Sequence, residues 1–218
     1  MASMATAQPL TSGPSVSVGS RSHWMAGLLW IGVTVAGSVA GALAAWQVRS
    51  LYERGPAVLH VDLGYLATVV NALIFSGGQW FVLQRYKLDA YWWVPATVAA
   101  NLLAAIIVIP TILNLFVPSS GAVITHAMAM LSGGAALAAA GLVVGMAQAL
   151  VLRGSAGNIA WAWIPATIAG GGLAGVLTTA LSAQFFDLPP MAAIGLVAAA
   201  GALLTAASQA PVIRRLLR

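Results

Sequence analysis

Eight side chains in this chain have the type and spacing to do chemistry in apolar surroundings: Gln79, Gln148 and Gln209, Thr34, Thr97 and Thr167, and the histidines His60 and His126. A primary amide offers two donors and an acceptor, and a hydroxyl offers one donor and two lone pairs. A Gln and a Thr held face to face therefore satisfy each other where water is excluded, and clip two helices together. Turned instead toward a common axis, the same groups would line a polar pocket or path for a neutral solute. Neutral imidazole ligates haem iron or chlorophyll magnesium, and His60 and His126 fall at similar depth near the ends of two apolar runs. No His-x-x-x-His spacing accompanies them, so they stand as the candidate cofactor ligands of a cofactor the sequence leaves unidentified.

Other chemistry is missing from the pattern. Glu53, Asp62, Asp89 and Asp187 all fall between apolar runs or at their ends, which disfavours a carrier that works through a carboxylate buried in the membrane. There are no cysteines and no Walker-type phosphate loop. The Gly-rich run at Gly170 lies inside an apolar helix, where close packing explains it better than phosphate binding. A non-enzymatic protein is the expectation.

The elements that must position the Gln and Thr groups are written three times. Trp163-Ile-Pro-Ala-Thr167, Trp93-Val-Pro-Ala-Thr97 and Trp30-Ile-Gly-Val-Thr34 open one kind of helix. Gln148-Ala-Leu-Val-Leu-Arg153, Gln79-Trp-Phe-Val-Leu-Gln-Arg85 and Gln209-Ala-Pro-Val-Ile-Arg214 end the other. Three and seven residues after each Thr stand Gly37 and Gly41, Ala100 and Ala104, Gly170 and Ala174. Three and seven before each Gln stand Ser76 and Ala72, Gly145 and Gly141, Ala206 and Ala202. Spacing of four stacks each pair on one helical face, and small-xxx-small faces are how helices approach closely in lipid. The pattern predicts an all-α fold of six transmembrane helices in three repeated hairpins, related by pseudo-threefold symmetry.

Composition agrees. The chain is 61% hydrophobic and 6% charged, with a mean hydropathy of +0.94, far from the roughly one-quarter charged residues of a soluble domain. A bilayer crossing needs about 20 apolar residues, and the runs lie at about 24-48, 63-84, 91-113, 125-152, 159-182 and 189-213. Residues 1-22 read as a disordered cytoplasmic tail, with a transit peptide as the alternative, ahead of a membrane domain spanning 23-218. Arg21, Arg85, Lys87, Arg153, Arg214, Arg215 and Arg218 share one side and only Arg49 and Arg54 the other, so both termini are expected in the cytoplasm. This arrangement is the topological signal, and nucleic acid is not an expected partner. Seven of the eight tryptophans (24, 30, 80, 92, 93, 161 and 163) gather on that same side and read as interfacial anchors.

Ser76-Gly-Gly-Gln79-Trp80-Phe-Val82-Leu83-Gln-Arg85 followed by Trp93-Val-Pro-Ala-Thr97 resembles a motif that recurs in a group of uncharacterised bacterial multi-pass membrane proteins, with looser copies at 145-153 and 163-167. Gln84 before Arg85, and the lack of Trp after Gln148 and Gln209, depart from that pattern. The resemblance implies the repeated-hairpin fold and a bacterial inner or photosynthetic membrane, and no particular activity. From the apolar connections Asn114-Gly121 and Phe185-Pro190, the leading functional expectation is an accessory or scaffold subunit docked to other membrane subunits or to copies of itself. The alternatives are a transporter or channel for a neutral or weakly polar solute, and a lipid-, quinone- or pigment-binding protein.

Overall fold

The computed structural model describes residues 21–53, 63–86, 88–116, 124–182, 184–185 and 187–216. Regular structure among these residues is entirely helical. Helix α1 is Arg21–Glu53 and α2 is Leu63–Arg85; α3 (Trp93–Leu103) continues through a π-helical segment (Ala104–Val108) into α4 (Ile109–Phe116). Then come α5 (His126–Ala156), a 3₁₀ segment (Gly157–Ala162), α6 (Trp163–Ser182) and α7 (Pro190–Leu216). Because α1 starts at Arg21, the last two residues of the expected tail are helical, while residues 1–20 lie outside the described residues.

Five of these helical stretches are long and apolar enough to cross a membrane, which is compatible with an integral membrane protein. The longest, His126–Ser182, holds 57 residues and would reach roughly 85 Å if straight. It is doubled back instead. Gly157 has φ 58°, a left-handed conformation that costs glycine little, and the 3₁₀ segment it opens turns the chain. As a result α5 and α6 lie antiparallel, with Gly133 against Gly175 and Thr179, Gly141 against Thr167, and Gly145 against Ile164.

Neighbouring helices approach closely through the small residues at the expected positions. Gly37 lies on the backbone of Phe75 and Gly41 on Asn71, joining α1 to α2. Gly170 lies on Thr205 and joins α6 to α7, and Gly27 packs on the Arg214 side chain where α7 returns to α1. Each helix thus packs on the next in the order α1, α2, α3, α5, α6, α7, and α7 closes on α1. Leu28, Phe81, Ile107, Leu131, Leu150 and Leu173 remain exposed on the outside of the ring, as an apolar solvent would require.

The two ends of the bundle differ. Arg85, Arg153, Arg214 and Arg215 occupy the last turns of α2, α5 and α7. At this basic end Arg214 lies 3.5 Å over the Trp24 ring and Arg153 lies 5.6 Å from the Trp161 centroid, where cation–π attraction holds the indoles at the rim. The buried apolar cluster sits just inside this end and contains Trp30, Trp93, Trp163, Leu83, Leu152 and Ile213.

Close backbone approach makes a prediction. A Cβ at Gly141 would lie 2.6 Å from the Thr167 carbonyl oxygen, whereas one at Gly77 meets nothing within 4 Å. Gly141→Ala should lower stability by about 1–3 kcal/mol through forced separation of α5 and α6. Gly77→Ala should be neutral or stabilising by about 0.5–1 kcal/mol. Thermal unfolding in mild detergent measures both.

Candidate functional site

In each opening motif the Trp precedes the Thr by four residues, so Trp30 and Thr34, Trp93 and Thr97, and Trp163 and Thr167 each share one helical face. That face points to the centre of the ring, and all six side chains are buried. The three indoles meet edge to face, with centroids 6.1 Å apart for Trp30 and Trp93, 5.3 Å for Trp30 and Trp163, and 5.6 Å for Trp93 and Trp163. Contacts of this geometry contribute about 0.5–1.5 kcal/mol each beyond the area they bury.

Each glutamine amide donates to the threonine of the helix it faces. Gln79 Nε2 donates to Thr34 Oγ1 at 3.2 Å, Gln148 Nε2 to Thr97 Oγ1 at 3.0 Å, and Gln209 Nε2 to Thr167 Oγ1 at 3.1 Å. The expected clips all form. Two glutamine oxygens also accept from indoles: Trp163 Nε1 donates to Gln148 Oε1 at 2.8 Å and Trp30 Nε1 to Gln209 Oε1 at 3.3 Å. Gln79 Oε1 and Trp93 Nε1 are buried and without a hydrogen-bond partner.

Beyond this layer, on the side away from the arginines, lies an open cavity of about 770 Å³. Its walls include Ser38 on α1, Asn71 and Phe75 on α2, Asn101 on α3, Leu137 on α5, Thr178 on α6 and Thr205 on α7. Ser38 and Asn101 stand one turn beyond Thr34 and Thr97 on the side away from the arginines, and Phe185 and Leu188, between α6 and α7, line the far end. The cavity exists because the centre-facing residues change in size along the bundle. Three indoles fill the centre at one level; beyond them Ala42, Ala174, Ala198, Gly201 and Ala202 are too short to meet across it. Among the described residues, none that lines the cavity is ionisable.

The sequence-predicted residues divide. The six Gln and Thr groups come together in one buried layer, and none of them lines the cavity. His126 is exposed in the first turn of α5, next to the Thr125 cap that accepts from Met128 N at 3.2 Å; His60 lies outside the described residues. The reading of the tryptophans as interfacial anchors is corrected for three of them. Trp24 and Trp92 are exposed as an anchor would be, whereas Trp30, Trp93 and Trp163 are 0% exposed. The signal that separates them is the Trp-to-Thr spacing of four. Asn71 and Asn101 were not anticipated, since neither belongs to the repeated motif.

No family model, curated protein or solved structure matches this chain, so the geometry alone carries the functional argument.

Replacing Trp163 by Phe keeps most of the ring and leaves Gln148 Oε1 without its donor. Trp163→Phe should cost about 1–3 kcal/mol for the orphaned buried acceptor. Trp161→Phe, at a partly exposed ring, should stay within about 0.5 kcal/mol. Equal unfolding temperatures for the two variants would contradict the assigned hydrogen bond.

Proposed function

We propose that this chain is an integral membrane protein that takes up a neutral amphipathic small molecule in its central cavity, as a lipid-binding protein or carrier. One observation carries the reading: an open cavity of about 770 Å³ between the helices, lined by residues of α1, α2, α3, α5, α6 and α7 and, among the described residues, without a charge. Its volume falls in the roughly 300–1,000 Å³ range of small-molecule sites. A charged ligand would find no counter-charge among the described lining residues and would keep its full desolvation cost. A scaffold role within a larger assembly rested on the uncharged connections; residues 117–123 of the first lie outside the described residues, and the cavity favours binding.

The architecture we propose to serve this role is six crossings as three copies of one hairpin around a pseudo-threefold axis through the indole triangle. Support comes from the doubled-back His126–Ser182 stretch, the closed neighbour order of the helices and the three like Gln-to-Thr bonds. Sites between repeated units recur in carriers. The basic end lies in the cytoplasm by the positive-inside rule, of a bacterial inner or photosynthetic membrane, and the cavity opens away from it.

Because the chain has no cysteine, single cysteines report topology directly. Asp187→Cys, between α6 and α7, should react with a membrane-impermeant maleimide in intact cells, and Asp89→Cys, between α2 and α3, should react only after lysis. The opposite pattern would invert the orientation.

Occupancy is tested by purifying the full chain from its native membrane in gentle detergent and analysing the extract by mass spectrometry. A neutral amphiphile near one per chain is expected for the wild type and should be lost in Ala198→Trp, whose indole would fill the cavity. Equal retention by the variant would overturn the reading. Stoichiometric partner polypeptides with no small molecule would replace it with the scaffold role.

A further inference from the structure

At the basic end of the bundle, two rim indoles are matched to cations of the chain itself. Arg214 lies over Trp24, and Arg153 stands by Trp161. Tyr91 and Trp92, 74% and 72% exposed just ahead of α3, have no guanidinium over them among the described residues. Beside them stands Asp89, the only carboxylate at this end among the described residues. Arg85 ends α2 four residues before it, yet the Asp89 side chain forms no ion pair or hydrogen bond among the described residues. Two exposed rings and a carboxylate, each able to hold a cation, thus sit together without one.

These three residues form the rim of a groove of about 620 Å³ between α3 and α5, on the outer face of the ring. It shares no lining residue with the central cavity. Gly154 keeps the rim open on the α5 side, since a Cβ there would meet nothing within 4 Å. One turn past Trp92 on α3 stands Ala96, and two turns back from Gly154 on α5 stands Ala147, with Leu150 and Val151 between. The groove is therefore polar and aromatic at the level of the arginines and apolar deeper in the bundle. A lipid lying along a membrane helix has the same profile, with its head at the rim and its chains below.

The rim chemistry selects the head. Ring faces attract a cation, and a carboxylate forms its strong hydrogen bonds with one. An anionic head would meet Asp89 with no cation among the described lining residues to offset the repulsion. We propose that this groove is a binding site, separate from the central cavity, for a membrane phospholipid with a cationic head. The ammonium group sits between the Asp89 carboxylate and the rings of Tyr91 and Trp92, and an acyl chain lies against Ala96, Ala147 and Leu150. The chain as a whole carries a formal charge of +5, so a lipid drawn only by net charge would be anionic, and the two expectations are opposite.

Native mass spectrometry of the full chain in detergent separates them, with an equimolar mixture of dioleoyl phosphatidylethanolamine and dioleoyl phosphatidylglycerol as the probe. The first lipid bound to the wild type should be the ethanolamine lipid by roughly fivefold, the size that one exposed ion pair and one exposed ring contact allow together. Asp89→Asn should bring the ratio to about one or reverse it, whereas Asp187→Asn, the same charge change at an exposed site on the opposite end, should leave it unchanged. Trp92→Leu should reduce it, and Ala147→Trp, which fills the trough, should abolish it. Ala198→Trp, which fills the central cavity, should retain the ratio, so the site stands or falls apart from the cavity reading. Equal binding of the two lipids, or preference for the glycerol lipid, in the wild type would overturn the proposal. A preference that survives Asp89→Asn, or one lost in Ala198→Trp, would overturn it as well.

Discussion

A polar group carried into an apolar bundle must find its partner there, because no water is present to replace one, and the layer of Trp, Gln and Thr is built around that constraint. Each glutamine lies where its helix meets another, and a Gln without the threonine it faces would be a liability. With it, the Gln becomes a fixed point that holds two helices in register. The indoles extend the same logic inward. Trp163 and Trp30 spend their N–H groups on glutamine oxygens and their rings on each other and on Trp93, so one layer supplies both the hydrogen bonds and the bulk that closes the centre.

Everything else follows from how closely the helices can approach around that layer. Glycines at 37, 41, 141, 145 and 170 let backbones touch, and the ring they form is narrow enough for three indoles to meet. Farther along, other small residues, Ala42, Ala174, Ala198, Gly201 and Ala202, are too short to fill the centre. Tight packing and a cavity are thus two results of one sequence habit, separated only by depth. The basic end is filled by the indoles with Leu83, Leu152 and Ile213, whereas the opposite end leaves a cavity among those alanines and Gly201, with Phe75, Leu137 and Val197 also in its walls.

Much of this was legible in the sequence. The Gln-to-Thr pairs follow from a repeated motif whose spacing puts the groups at one depth on facing helices, and all three form. The small-residue faces were legible for the same reason. Tryptophan misled because the indole's preference for the membrane interface is the stronger prior, and Trp24 and Trp92 obey it; only the spacing to Thr marks the three that do not. The cavity was not legible, since it depends on which faces turn inward and on volume left unfilled. Asn71 and Asn101 escaped notice because each occurs once, off the repeated pattern, where their counterparts are small residues.

The most direct test of the central claim is hydrogen exchange at the indole N–H groups, followed by ¹H–¹⁵N spectra of the protein in detergent micelles after transfer to D₂O. The account predicts that the resonances of Trp30 and Trp163, which donate to buried glutamine oxygens, persist long after those of the exposed Trp24 and Trp92 have gone. Loss of all indole signals at a common rate would contradict a closed, water-free layer.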